Sequence, residues 1–308
     1  MLRWWWERRT HPRAPNPGPG ELPVVRGRVA RPGPAPGELR ATWVGHSTFL
    51  LQVGGLNVLT DPVFSERASP VRWAGPGRFQ PPGLPFPELP PIDVVLLSHD
   101  HYDHLDEPTV RRLHARFGER ITWFAPLGYR AWFAARGVRA VVELDWWEDA
   151  AVSGPEGAVR VRCLPAQHWT SRAPWDRFER LWCSWSLSAP GGARVYFGGD
   201  SGWFPGYAEI GERAGPFDLV LMPIGAYEPR WFMAPSHMNP EEAVQAYLEL
   251  GGRGVFGGMH WGTFRLTDEP PCEPPERARA AWATAGLPAE RLWIPAHGAT
   301  RVVCGGAA

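Results

Sequence analysis

The sequence predicts a mixed fold of the α/β (α+β) class, with two β-sheets and helices packed on their outer faces. Three observations lead there. Short apolar runs of strand length recur along the chain and outnumber the helical stretches. No internal repeat is present. No linker interrupts the chain beyond residue 40, so a sequence of 308 residues, 44% hydrophobic, is expected to build one large core.

Residues 11–40 are dominated by Pro, Gly and Arg, with one β-like run at 24–29, and read as an extended arm. With the tryptophans that precede them, they set a Pro/Arg/Trp-rich N-terminal arm (1–39) apart from a body (40–308). The body opens on two β runs, 40–53 and 56–60, joined through the Gly54-Gly55 turn of a hairpin. Residues 64–91 form a Pro- and Gly-rich loop of a length that usually frames a site. Residues 92–97, apolar except for Asp93, read as a buried strand. Pro108 begins a helix over 107–117, where its missing N–H costs little. Further strands are expected at 121–124, 141–144, 159–164, 182–187, 194–197, 219–222 and 254–257. Further helices are expected at 128–135, 240–250 (with Asn239 as its cap) and 275–285.

Composition narrows the function. Lys+Arg and Asp+Glu each number 32, so the net charge is zero and the electrostatic case for nucleic-acid binding is absent. No apolar run approaches the roughly 20 residues of a membrane-spanning helix. All the basic residues are Arg, and Pro and Gly number 35 each, a bias that a GC-rich genome accounts for. Cys163, Cys183, Cys272 and Cys304 lack C-x-x-C spacing and suit a reducing compartment. Trp4-Trp5-Trp6 is too short for a secretory signal, whose apolar core needs roughly seven to fifteen residues. A cytoplasmic location is expected. Beside its arginines the triplet suits either a segment tucked against the body or peripheral contact at the inner face of a membrane.

The chemistry concentrates in Ser98-His99-Asp100-His101-Tyr102-Asp103-His104-Leu105-Asp106, directly after the strand at 92–97. On extended backbone, residues two apart point the same way, so His99 and His101 can share one cation while Asp103 and His104 face a second. Imidazole nitrogen and carboxylate oxygen are ligands that zinc prefers, and iron and manganese accept the same set. Crowding these groups at a strand end would be unfavourable without a cation. His168, Asp200 and His260 each follow another expected strand and could converge on the same edge.

The H-x-H-x-D-H motif followed by a spaced His, Asp and His resembles the metallo-β-lactamase superfamily. That resemblance implies a four-layer αββα sandwich with a two-metal site at one edge. His99, His101 and His168 would hold the first metal, Asp103, His104 and His260 the second, and Asp200 would bridge them. Longer blocks, among them Thr42 to Thr48, Leu59 to Pro70, Glu143 to Glu148, Pro223 to Met233 and His260 to Phe264, are similar to the N-acyl-phosphatidylethanolamine-hydrolysing phospholipase D family. The stretch 169–180 departs from that pattern, and so does the arm.

The narrower resemblance implies a phosphodiesterase in which a hydroxide bridging two metals, two Zn²⁺ with iron or manganese as substitutes, attacks phosphorus. The products would be N-acylethanolamine and phosphatidic acid, and the partner a phospholipid substrate. A homodimer is implied by the resemblance alone. Asp103, Asp200 and His237 are then the candidate catalytic residues, and Tyr102, Tyr227 and His237 the candidate substrate contacts. Asp61 and His46 are expected behind the ligands, because metal-bound imidazoles give their other N–H to a carboxylate or carbonyl. His297 could line the pocket, and His11 and His114 read as surface residues. Trp146, Trp147, Trp203, Trp231 and Phe232 could line a channel for acyl chains, and Arg230 or Arg72 could pair with a phosphate. Two other readings stay open: hydrolysis of a small soluble ester or phosphorylated lactone, and a metal-binding protein without turnover.

Overall fold

The computed structural model describes residues 2–10, 13–18, 20–27, 29, 34–192 and 194–305. Among them, fourteen strands form two sheets of seven. The chain starts with helix α1 (Leu2–Thr10). The first sheet then takes β1 (Glu38–Gly45), β2 (Thr48–Val53), β3 (Leu56–Thr60), β4 (Val94–Leu96), β5 (Thr122–Pro126) and β6 (Val141–Leu144), with α2 (Glu107–Phe117) and α3 (Arg130–Ala134) between them. The second sheet takes β7 (Asp149–Gly154), β8 (Gly157–Leu164), β9 (Ser184–Ser188), β10 (Arg194–Phe197), β11 (Leu219–Pro223), β12 (Val255–Met259) and β13 (Leu292–Trp293). Its helices are α4 (Gly206–Ala214), α5 (Arg230–Met233), α6 (Pro240–Glu249) and α7 (Glu273–Thr284). The last strand, β14 (Thr300–Cys304), returns to the first sheet and pairs antiparallel with β1.

The period of two along the strands decides which face goes where. Phe49, Leu51 and Val58, with Val94 and Leu96, point between the sheets and meet Trp185, Leu187 and Phe197 of the second sheet. Their alternates Leu50, Leu59 and Val95 point outward onto Val110 and Leu113 of α2 and Phe133 of α3. Both faces of the first sheet are therefore covered, which explains why its strands read as nearly unbroken apolar runs.

Three readings of the sequence need correction. Residues 40–53 are not one strand: Gly45-His46-Ser47 turns the chain back, and β1 and β2 pair antiparallel with a register shift there. The edge strands β7 and β14 and the helices α1, α4 and α5 go unmarked by the sequence pattern. His114 is half-buried rather than a surface residue, while His11 lies outside the described residues. Of the β-like run at 24–29, Val24 makes a bridge to His297, and residue 28 lies outside the described residues. The arm is fastened to the body: Leu22 is buried, and Arg265 donates to the carbonyls of Ala14 and Pro15. Among the described residues, no helix is long and apolar enough to cross a membrane.

The helix starts behave as their residue types demand. Asn239 caps α6 through Glu242 N–H, and the Glu242 carboxylate returns to Asn239 N–H in a reciprocal box. We expect Asn239→Ala to lower unfolding stability by about 1 kcal/mol in denaturant titration. An unchanged midpoint would contradict that role for the box.

Candidate metal centre

Five strand ends place the site. The loop carrying His99, His101, Asp103 and His104 leaves β4, and its start is pinned across the sandwich. Trp185 Nε1 donates to Leu97 O at 2.9 Å, and Cys183 N–H donates to Ser98 O at 3.0 Å. His168 follows β8, Asp200 follows β10, His260 follows β12, and His46 occupies the turn after β1. Gly199, with φ of 58°, makes the sharp approach before Asp200 possible; a Cβ there would lie 2.6 Å from Ser98 Cβ.

All seven expected side chains meet, in two adjoining groups. In the first, His101 Nδ1 lies 2.9 Å from His99 Nε2 and 3.2 Å from His168 Nε2. In the second, His104 Nε2 and His260 Nε2 are 3.3 Å apart, and Asp103 Oδ2 lies 3.4 Å and 3.5 Å from them. Asp200 stands between the groups. Its Oδ2 is 3.2 Å from His104 Nε2 and 3.9–4.0 Å from His168 and His99, while its Oδ1 is 3.1 Å from His260 Nε2. Ligand atoms at tetrahedral angles on zinc bonds of about 2.0–2.1 Å are separated by about 3.3 Å. The donor types and their spacing fit such a cation in each group.

The far side of each ring is held as well. His104 Nδ1 faces Asp61 Oδ2 at 2.7 Å, and Asp61 also accepts from Ser98 N–H at 2.7 Å. His168 Nδ1 donates to Ser236 O at 2.8 Å, and His99 Nδ1 meets Ser98 Oγ at 2.9 Å. These partners leave His104, His168 and His99 presenting Nε2 inward. His46 Nε2 lies 2.9 Å from Asp103 Oδ2, and the His46 carbonyl accepts from His260 N–H, so one residue touches two members of the second group. His46, Asp61 and His260 all have positive φ (56°, 32° and 63°), a backbone strain concentrated at the site.

Burial and charge treat the groups differently. Burial drives His101 down to about 3 and His168 to about 4, and it takes His99 and His237 well below the usual histidine range. Those imidazoles are neutral with lone pairs available. Burial also opposes charge on His104 and His260. There the carboxylates of Asp200 and Asp103 overcome it, lifting His260 to about 9 and His104 well above the usual range. Asp103 and Asp200 lie well below the carboxylate range: burial pushes them up, but the neighbouring histidines outweigh it.

A cleft of about 270 Å³ opens over these atoms, walled by Ala68, Tyr102, Trp169, Ala226, Met233, His237, Leu266 and Thr267. His237 sits over the cluster, its Nδ1 3.8 Å from Asp200 Oδ2 and without a hydrogen-bond partner. Tyr102 reaches the cleft, although its hydroxyl donates to Arg172 O. Tyr227 does not: its hydroxyl donates to Glu273 Oε1 at 2.6 Å, behind the wall, so its expected substrate contact is corrected. Arg230 is taken by Glu242 and by the His237 carbonyl, and so it braces His237 instead of facing a phosphate. His297 is fully buried against Trp43 and Thr263 rather than lining the cleft. Trp146, Trp147, Trp203, Trp231 and Phe232 are not among the walls. The walls Trp169 and Met233 escape a reading of the sequence, though each lies near a residue that it marks. Asp100 faces away and receives Arg180 and Ser171 N–H, which ties the 169–181 loop to the histidine loop.

Comparison with known proteins places the chain in a family and a fold. The model of the β-lactamase superfamily domain matches residues 56–261. The chain is 42% identical over 248 residues to N-acyl-phosphatidylethanolamine-hydrolyzing phospholipase D 1 of Caenorhabditis elegans, covering 78% of this chain and 69% of that protein. It is 33% identical over 261 residues to the mitochondrial N-acyl-phosphatidylethanolamine-hydrolyzing phospholipase D of Saccharomyces cerevisiae, covering 84% of this chain and 55% of the yeast one. In fold it is similar to Igni18, a metallo hydrolase of Ignicoccus hospitalis, at a TM-score of 0.63 and 22% identity, covering 86% of this chain and 98% of that one.

Two outcomes follow from the electrostatics and the outer contacts. In protein stripped by a chelator, His260, at about 9, and His104 carry protons at neutral pH and must shed them to bind a cation. Metal uptake by the second group should therefore release protons and tighten as pH rises toward about 9, while uptake by the first group stays nearly flat around neutrality. Calorimetry in buffers of differing ionisation heat reads this directly, and uptake without proton release would contradict it. Asp61→Ala should weaken metal retention about 10–100-fold, seen by competition with a chromogenic chelator. Wild-type retention in that variant would show that the Asp61–His104 contact does not matter.

Proposed function

The chain belongs to the metallo-β-lactamase superfamily of metal-dependent hydrolases, and from that premise we propose that it is a dinuclear phosphodiesterase of the phospholipase D type. Its substrate in this reading is N-acyl-phosphatidylethanolamine, cleaved by water to phosphatidic acid and N-acylethanolamine. The observation that carries the reading is the set of seven side chains meeting in two cation-sized groups beneath an open cleft, in a chain similar along most of its body to a phospholipase of that name.

His99, His101 and His168 would hold one cation, Asp103, His104 and His260 the other, with Asp200 between them. When bound, such cations supply charge against the phosphate oxygens and lower the pKa of the attacking water. The chain's own residues do the rest. Asp200 Oδ2, placed between the two groups, orients the water toward phosphorus. A new P–O bond forms as the bond from phosphorus to the ethanolamine oxygen breaks; the attacking water gives up its proton to solvent in the open cleft, and the departing oxygen takes one from it. Burial keeps His237 neutral, so it serves to hydrogen-bond a substrate oxygen rather than to store a proton. Arg230, bound to its carbonyl, keeps that ring over the cluster.

The test is incubation of zinc-loaded protein with N-acyl-phosphatidylethanolamine in mixed micelles, following N-acylethanolamine by mass spectrometry. Product is expected, and His237→Ala should lower kcat/KM roughly 10²-fold with metal content unchanged. Turnover confined to water-soluble esters would overturn the lipid reading. Metal retention without turnover of any diester would overturn the enzyme reading.

A further inference from the structure

Asp100 stands between the ligands His99 and His101, and its side chain is fully buried on the opposite side of the loop. Three groups hold it from behind. Its Oδ2 accepts from Arg180 Nη1 at 2.9 Å, its Oδ1 from Ser171 N–H at 2.9 Å, and its carbonyl from Arg172 Nη1 at 2.6 Å. The same Arg172 nitrogen donates to Leu105 O at 2.8 Å, one residue past His104, and its guanidinium lies 4.1 Å over the Tyr102 ring. All these donors belong to the 169–180 stretch, where the sequence departs from the family pattern.

That stretch is itself stiffened around one carboxylate. Asp176 Oδ1 accepts from the N–H groups of Arg172 at 2.8 Å and Ala173 at 2.7 Å, and its Oδ2 from Arg180 at 3.2 Å. Thr170 Oγ1 donates to Arg180 O at 2.7 Å, and Leu181 N–H to Leu127 O at 3.0 Å. Gly128, with φ of 99°, lets the Arg180 stem pass; a Cβ there would lie 3.3 Å from Arg180 Cγ. Arg180 is thus held between Asp100 and Asp176, with little freedom to leave either.

The braces close a ring through the first ligand group. The loop starts beside His168, where the Trp169 ring packs 4.5 Å from the His101 ring. It ends by gripping the residue between His99 and His101. The second group has its own supports, His46 on Asp103 and Asp61 on His104. A buried carboxylate that loses its cation is strongly unfavourable, so Asp100 without Arg180 would turn toward water and carry both neighbouring histidines with it.

We propose that Arg180 is a positioning residue for the first cation. By pairing with Asp100 behind the loop, it keeps His99 and His101 at the spacing that binds this cation together with His168, and it leaves the second group alone. The proposal rests on the reading that each group takes up a cation. It goes further in placing control of one cation in an ion pair outside the cluster.

The test is titration of the chelator-stripped full chain with cobalt(II), read by visible absorption and by metal content after dialysis. Arg180→Met is compared in two backgrounds, His104→Ala, which leaves the first group whole, and His168→Ala, which leaves the second. In the first background it should weaken cobalt binding about 10–100-fold and alter the absorption bands, and in the second change neither. Adding Asp100→Asn, which removes the carboxylate that Arg180 compensates, should restore binding and spectrum in the first background. Arg180→Lys, which keeps a cation beside Asp100, should bind more tightly than Arg180→Met. Undiminished binding by Arg180→Met in the first background would overturn the proposal. So would equal weakening in both backgrounds, or failure of Asp100→Asn to restore it, since a mere packing role gives those results. Where Arg180→Met does not fold, first-group binding lost in Arg180→Lys or in the double variant overturns it. A wild type that binds fewer than two equivalents would remove the two-cation reading as well, whereas two equivalents with an unaffected variant would remove this proposal alone.

Discussion

Side-chain nitrogens and oxygens of His99, His101, His168, His104, His260, Asp103 and Asp200 face one another across 2.9–3.5 Å contacts beneath the cleft. Among the neutral imidazoles of the first group like lone pairs repel, while in the second Asp103 and Asp200 hold protons on His104 and His260. A cation turns the repulsion of the first group into bonding and takes the place of those protons in the second. The sandwich supplies the opposing force. Its two sheets share one apolar core, and the side chains at their ends have nowhere to retreat. Trp185 and Cys183 of the second sheet grip Leu97 and Ser98 at the end of the first, so the histidine loop cannot drift from Asp200 and His260.

The same constraint explains where backbone strain is stored. Left-handed conformations at His46, Asp61, Ala226 and His260 cost of the order of 1–3 kcal/mol each and lie in or beside the ligand groups. His46 shows what the strain secures. Its ring reaches Asp103, its carbonyl holds His260, and its N–H donates to Thr263 at 2.8 Å, so a tight turn between two strands ties three distant parts of the chain together. Neutral histidines in one group and carboxylate-paired histidines in the other give the two groups unequal proton affinity, although they share Asp200.

Much of this was legible in the sequence because strand ends are legible. His99, His168, Asp200 and His260 each follow an apolar run, and the strands at 141–144 and 194–197 fall where the pattern places them. What failed has physical reasons. α4 contains Gly206 and Gly211 behind Pro205, residues that mark a loop when read locally; its form is settled by Tyr207 and Ile210 packing into the core. α1 spans nine residues, too short to be stable alone, and forms against Phe232 and Asp268. Tyr227 neighbours the site in sequence, but its direction is set by Glu273, 46 positions later, which no local pattern encodes. The loop walls Ala68, Leu266 and Thr267 carry no chemical signature at all. Their place follows from loop paths alone.

Elemental analysis of the purified chain tests the two-cation site most directly. Two equivalents of transition metal per chain are expected, falling to one when His104 is replaced by alanine and the first group is left whole. A wild-type protein that retains one equivalent or none after loading, or a His104→Ala variant that still holds two, would contradict it.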